Sequence, residues 1–114
     1  MMMKRKSKKN TKRKNEFRYH VILVNKNGRM KEIKHPAYIW QQRGNIYDYF
    51  VITHSSNIEG VILIKLRRNP NPKDNKESFY DSKPKNDIKS RFGKKKKGWK
   101  LHPLDQQEMH GNKK

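Results

Sequence analysis

Apolar and polar residues alternate through FRYHVILV, with Phe17, Tyr19, Val21 and Leu23 on one face and β-branched residues towards its end. That period of two predicts a half-buried strand. Asn27-Gly28 follows, the dipeptide best suited to the positive φ angles of a tight hairpin turn, so Arg29 to Lys34 is expected to return antiparallel. Alternation there is thin, which predicts an edge strand ended by His35-Pro36, since proline supplies no donor to a ladder. In AYIWQQRGN, Tyr38, Ile39 and Trp40 fit one helical turn, with Gly44-Asn45 as its break. IYDYFVITH is apolar on both faces and predicts a central strand.

SSNIEG is expected to turn, and VILIKLR, the most apolar run, to return as the second hairpin and the middle of the core. NPNPKDN stops that strand in a defined loop in which Asn69, Asn71 and Asp74 bond their own backbone. Ser78 to Asp81 returns briefly as strand, Asn86 caps a short helical turn ending near Gly93, and Pro103 opens a helix that Gly111 closes. Together these elements predict an α+β fold, mainly antiparallel β: a small curled sheet or open barrel of four to five strands with one or two short helices.

Charge changes this picture most. Lys and Arg number 30 against 10 acidic residues, a formal net charge of +20, with 31% hydrophobic and 35% charged residues. A body of 114 residues has room for one core, and repulsion on that scale favours a polyanionic partner. The excess sits at the ends: residues 1–15 carry +8, residues 16–88 carry +5 and residues 89–114 carry +7. Residues 1–15 have no apolar periodicity and are expected to form a disordered basic arm, followed by one small β-rich domain over residues 16–110 and a basic tail over residues 111–114.

Phosphate binding is therefore assigned to Lys4, Arg5, Lys6, Lys8, Lys9, Lys12, Arg13 and Lys14 of the arm, and to Lys94, Lys95, Lys96, Lys97 and Lys100 with Trp99 of the distal block. Rings beside cations can stack on unpaired bases, as in single-strand and RNA binders. Phe17, Phe50 and Trp40 are expected in the core, whereas Tyr47, Tyr49 and Trp99 border polar or cationic residues and are divided between core and stacking roles. GKKKKGWK is not a nucleotide-binding loop, because Trp99 follows the second glycine and no Ser or Thr is placed to hold magnesium.

Cysteine is absent, which excludes disulfides and thiolate zinc sites, and no acids or histidines have metal-ligand spacing, so no metal or cofactor is expected. No apolar run approaches the ~20 residues of a membrane span. The expectation is a cytoplasmic protein with nucleic acid as partner, RNA favoured over DNA, and no membrane contact. Two other readings stand beside it: a metal-independent endoribonuclease, and an interaction protein docking on an acidic, charge-neutralising partner. Cleavage needs an acid or base near neutral pKa and cations around the phosphate, which His54 with Arg67, Arg68 and Tyr80 could supply. His20 and His35 are weaker alternatives.

The order of an aromatic strand ending in THSS, an apolar strand, NPNPKD, a tyrosine, then FG and GWKL resembles small basic proteins of bacterial mobile elements, including RelE-like toxin ribonucleases. The resemblance covers the layout of residues 17–109. It implies an antiparallel sheet with minor helices and RNA cleavage without metal, with His54, Arg67, Arg68 and Tyr80 matching by residue type the His, Arg and Tyr of such enzymes.

Overall fold

A computed structural model describes residues 11–111. Six strands and a short helix follow one another: β1 (Thr11–Lys26), β2 (Arg29–Arg43), β3 (Ile46–Thr53), β4 (Leu63–Lys65), β5 (Phe79–Asp81), β6 (Lys85–Ile88), a 3-10 turn (Lys89–Arg91) and α1 (Pro103–Gly111). The sheet is antiparallel in the order β1-β2-β3-β5-β4, with β6 also on β3. Six strands thus replace the four to five expected from the alternation.

The β1–β2 hairpin turns at Asn27 and Gly28, whose φ angles of 53° and 81° are both positive, as a type I′ turn requires. Beyond His20 and His35, its tip is a two-stranded ribbon on which Asn25 to Glu32 are exposed. β2 does not stop at Pro36, and no helical turn forms over Tyr38 to Trp40. The Tyr19 carbonyl accepts the Gly93 N–H, so Tyr19 turns its backbone polar groups away from β2. Its register partner Pro36 is therefore in a non-hydrogen-bonded pair, where the missing N–H leaves the ladder intact.

β3 is the central strand, as its two apolar faces predict. Its first half lies between β2 and β6 and its second half pairs with β5. The expected hairpin of β3 with the apolar run does not form. Phe79, Tyr80 and Asp81 occupy the place beside β3, all three buried, and leave β4 outside them. Tyr80 packs edge-on against Phe50 at 5.6 Å, an aromatic contact that the aliphatic run could not make, while Ile62 is 71% exposed. Lys85 to Ile88 likewise hydrogen-bonds to β3 instead of forming a helix capped by Asn86.

Both faces of the sheet are covered. Phe17, Tyr38, Phe50, Ile52, Leu66 and Tyr80 pack with Leu101 and Met109 from the α1 side, with Trp40, Ile64 and Trp99 at the margin. Ala37, Ile39, Tyr47 and Tyr49 form the other cluster against Val51 and Phe92. The sheet is curled enough that the chain leaving β6 crosses to the outer side of β1, where Phe92 bridges His20 and the Lys96 N–H donates to the Phe17 carbonyl. Of the arm, Thr11 to Asn15 belong to β1: backbone pairing with Gln41 to Arg43 extends the ladder past a bulge between Arg13 and Glu16, although no apolar side chain marks it. Lys4, Arg5, Lys6, Lys8 and Lys9, and residues 112–114 of the tail, lie outside the described residues. No helix among the described residues is long and apolar enough to cross a membrane.

Candidate nucleic-acid interface

The lysine block is fixed to the sheet by its backbone. Gly93 N–H donates to the Tyr19 carbonyl at 2.9 Å, Lys96 N–H to the Phe17 carbonyl at 2.8 Å, and Lys100 N–H to the Pro70 carbonyl at 3.1 Å. Arg18 adds a bond from its guanidinium to the Gly93 carbonyl at 2.8 Å. The side chains of Lys94, Lys95 and Lys97 are left in solvent while their backbone is held. At Gly98 the chain takes φ 82° and turns Trp99 back onto Phe17, with ring centroids 5.7 Å apart. Tyr19, two residues on from Phe17 and so on the same face of β1, meets Trp99 edge-on at 6.2 Å. Lys96 Nζ lies 4.8 Å from the Tyr19 ring centre and 5.8 Å from that of Trp99.

Opposite stands the NPNPKD loop, built as expected from short side-chain-to-backbone bonds. Asn69 Oδ1 accepts the Asn71 N–H, Asn71 Oδ1 accepts the Lys73 N–H, and Asp74 Oδ1 accepts the Lys76 N–H. The bond from Lys76 does most to hold the Asp74 carboxyl below its usual range. Between loop and block lies a groove of about 550 Å³ lined by Tyr19, Asn71, Pro72, Lys73, Lys94 to Lys97 and Trp99. It shares Lys95, Lys96, Lys97 and Trp99 with a groove of about 510 Å³ that runs on past Lys100 to Asn15 and Gln106. That groove in turn shares Asn15 and Gln106 with one of about 800 Å³ lined by Arg13, Lys14, Pro103, Leu104 and His110.

The three form a continuous track with eight cations, Arg13, Lys14, Lys73, Lys94, Lys95, Lys96, Lys97 and Lys100, and one carboxylate, Glu16. Seven of the ten acidic residues pair with Lys or Arg, but seldom with these. Asp48 holds Arg43, Asp87 holds His20 and Arg91, and Asp105 with Glu108 holds Arg67. Of the eight track cations, Lys14 alone lies within salt-bridge distance of an acid among the described residues, at 3.9 Å from Glu16. Lys12 is exposed on β1 and does not line these grooves.

The four residues assigned to cleavage are not gathered together. His54 is half exposed after β3, with Nδ1 3.0 Å from the Glu77 carbonyl and Nε2 3.5 Å from Asp74. It lines a small recess with Tyr19, Asn71, Asp74 and Trp99, at the edge of the first groove. Arg67 lines a different groove with Lys65, Leu66 and Glu108, and its guanidinium is bound by Asp105 at 2.7 Å and Glu108 at 2.9 Å. The hydrogen bonds it donates to Glu108 and Asp105 raise its pKa further. Arg68 reaches the Leu101 carbonyl, and Tyr80 is buried in the core. Tyr47 and Tyr49 are likewise 4% exposed and are core rings, because Phe92 closes over both.

His20 is tied into the sheet, with Nε2 2.8 Å from Asp87 and its ring tilted against those of Tyr49 and Phe92 at centroid distances of 4.8 and 4.7 Å. His35 is exposed on the ribbon. No group of three or more potential metal ligands occurs among the described residues. Tyr19, Asn71 and Lys73 were not singled out by sequence as groove residues. Tyr19 reads as an ordinary strand position, and the other two as turn chemistry, until residues 94–99 are folded against them. No family model, curated protein or solved structure matches this chain.

Proposed function

We propose that the protein binds single-stranded nucleic acid, RNA in preference to DNA, along the track between the NPNPKD loop, the lysine block and α1. The observation that supports this most is that seven of the eight track cations have no carboxylate within salt-bridge distance among the described residues, although seven of the ten acids pair with Lys or Arg. A row of such cations gains by releasing counterions from a phosphate backbone, with no sequence read. Titrating the full chain against a labelled single-stranded RNA in dilute buffer containing EDTA tests the reading. Binding that weakens steeply with salt is expected, and absence of binding overturns it. Retention of an acidic protein after nuclease treatment, with no RNA binding, would favour the protein-docking reading.

Metal-independent cleavage is a second reading, favoured by one observation: His54, with Asp74 at 3.5 Å, borders the recess that shares Tyr19, Asn71 and Trp99 with the track. A strand bound there brings a 2′-hydroxyl and phosphate near an imidazole that can transfer a proton. Arg67 is held by Asp105 and Glu108 in a different groove and Tyr80 is buried, whereas the lysines of the block line the groove that shares Tyr19, Asn71 and Trp99 with this recess. Products ending in a 2′,3′-cyclic phosphate, formed in EDTA and lost in His54→Ala, are the expected outcome. Cleavage that persists in that variant overturns the site.

A further inference from the structure

Two observations set one point on the track apart from the rest. The Tyr19 and Trp99 rings line the first groove beside four consecutive lysines, and a single ammonium, that of Lys96, lies against both. Neither ring is closed into the interior: Tyr19 and Trp99 are both partly exposed, although Phe17 supports Trp99 from below. Asn71, on the facing loop, uses its Oδ1 for the Lys73 N–H, and its Nδ2 donates no hydrogen bond among the described residues. Two ring faces set at 76° to each other, a displaceable cation against both and an amide donor across the gap match an aromatic, hydrogen-bond-accepting ring attached to a phosphate, stacked on one face and edged by the other.

We infer that Trp99 and Tyr19 form the seat of one unpaired nucleobase on this track. This rests on the proposed single-strand reading and deepens it, since it assigns the residues that would select a single strand over a duplex. On binding, the base takes the ring face that Lys96 Nζ covers, and Nζ moves to the adjoining phosphate. The cation–π contact is exchanged for base stacking and a charged hydrogen bond. The Asn71 amide donates to an acceptor on the base edge. A base within a duplex is already stacked on both faces and cannot reach the seat without being extruded.

Trp99 reports on its own occupancy in the full chain carrying Trp40→Phe, which leaves it as the one tryptophan. Three probes of equal length are compared in dilute buffer: single-stranded oligoadenylate, the same strand without bases, and an RNA duplex. Oligoadenylate should quench Trp99 fluorescence and bind most tightly, the abasic strand should bind without quenching, and the duplex should not quench. Trp99→Leu should weaken oligoadenylate binding by roughly tenfold and leave abasic binding unchanged, while Trp99→Phe, which keeps a ring, recovers most of the loss. Circular dichroism establishes that each variant is folded. Equal binding of abasic and base-bearing strands without quenching overturns the seat and leaves the track reading in place. Binding of none of the three overturns the track itself.

Discussion

Replacing Lys94, Lys95 and Lys97 by Gln removes three of the eight cations of the track and leaves Lys96, with its contacts to Tyr19 and Trp99, in place. All three side chains are exposed, so each substitution should cost no more than about 0.5 kcal/mol of stability. On a single strand, each neutralised phosphate contributes about 0.7 to the slope of log affinity against log salt. Eight engaged cations give a slope near −5.6 and five give one near −3.5, so the triple variant should be flatter by about 2. Over a change from about 50 to about 200 mM salt, the wild-type chain should then lose roughly 20-fold more affinity than the variant. Anisotropy of a labelled single-stranded RNA, titrated at several salt concentrations, measures both slopes. The matching control is Lys26, Lys31 and Lys34 to Gln, which removes the same charge from the exposed ribbon, away from the track. Equal flattening by both triples would mean that net charge alone matters and would refute the track. So would an unchanged slope in the first.

Burial pushes the Tyr49 phenol up to about 12, with the Asp87 charge adding to it, and burial also raises Tyr38 against the opposing charge of Arg13. The folded state therefore keeps protons that the unfolded chain releases near pH 10, so stability is undiminished below about pH 10 and declines as pH rises from there. Denaturant midpoints across that range should fall less in Tyr49→Phe, and an identical fall would contradict the assignment. Asp105→Ala should cost about 2–4 kcal/mol, because a carboxylate 1% exposed accepts the Arg67 backbone N–H at 2.9 Å and its guanidinium at 2.7 Å. A midpoint shift worth less than about 0.5 kcal/mol would show that it does not anchor α1. Gly98→Ala meets no atom within 4 Å of the added Cβ, so its cost is the roughly 1–2 kcal/mol of a left-handed L-residue. It should displace Trp99 and reduce quenching by oligoadenylate, whereas Gly98→Asn, which tolerates that backbone region, should retain it.

Local signals were legible where one short stretch contained its own answer. Asn27-Gly28 defines a type I′ turn, IYDYFVIT reads as a strand buried on both faces, NPNPKD forms its side-chain-bonded loop, and Pro103 opens α1. Pairing was less legible, because a strand is stabilised by partners that its own residues do not specify. VILIKLR is the most apolar run, yet Phe79 to Asp81 is the segment beside β3, since Tyr80 complements Phe50. Proline in β2 misled for a related reason: whether its missing N–H matters depends on which side of the strand that atom faces. The charge-rich start of β1 carries no hydrophobic signal at all, and its strand is a backbone ladder.

The distal lysines and Trp99 were legible as a cationic block with an aromatic, but their partners Tyr19, Asn71 and Lys73 lie far away in the chain and meet them only after the sheet curls. Arg67 shows the opposite case, a cation whose type fits phosphate chemistry but whose carboxylate partners Asp105 and Glu108 become visible only in the fold.

Whether the fold or only its charge binds nucleic acid can be decided from stability. A ligand that binds the native state alone stabilises it by RT ln(1 + [L]/Kd), about 2.7 kcal/mol at a hundredfold excess over Kd, and any affinity for the unfolded chain subtracts from this. The unfolded chain here carries the same +20 on a flexible backbone, so it is itself a competent polycation. If charge were the whole basis of binding, RNA would be held by both states and the melting temperature would stay where it is or fall. The track makes a different demand: Lys73 is brought opposite Lys94 to Lys97, and Tyr19 beside Trp99, by the fold alone. A single strand seated there should raise the melting temperature at low salt, and more than its abasic counterpart does. A duplex should raise it less than the single strand. No rise with oligoadenylate would place the affinity in the charges and not in the groove.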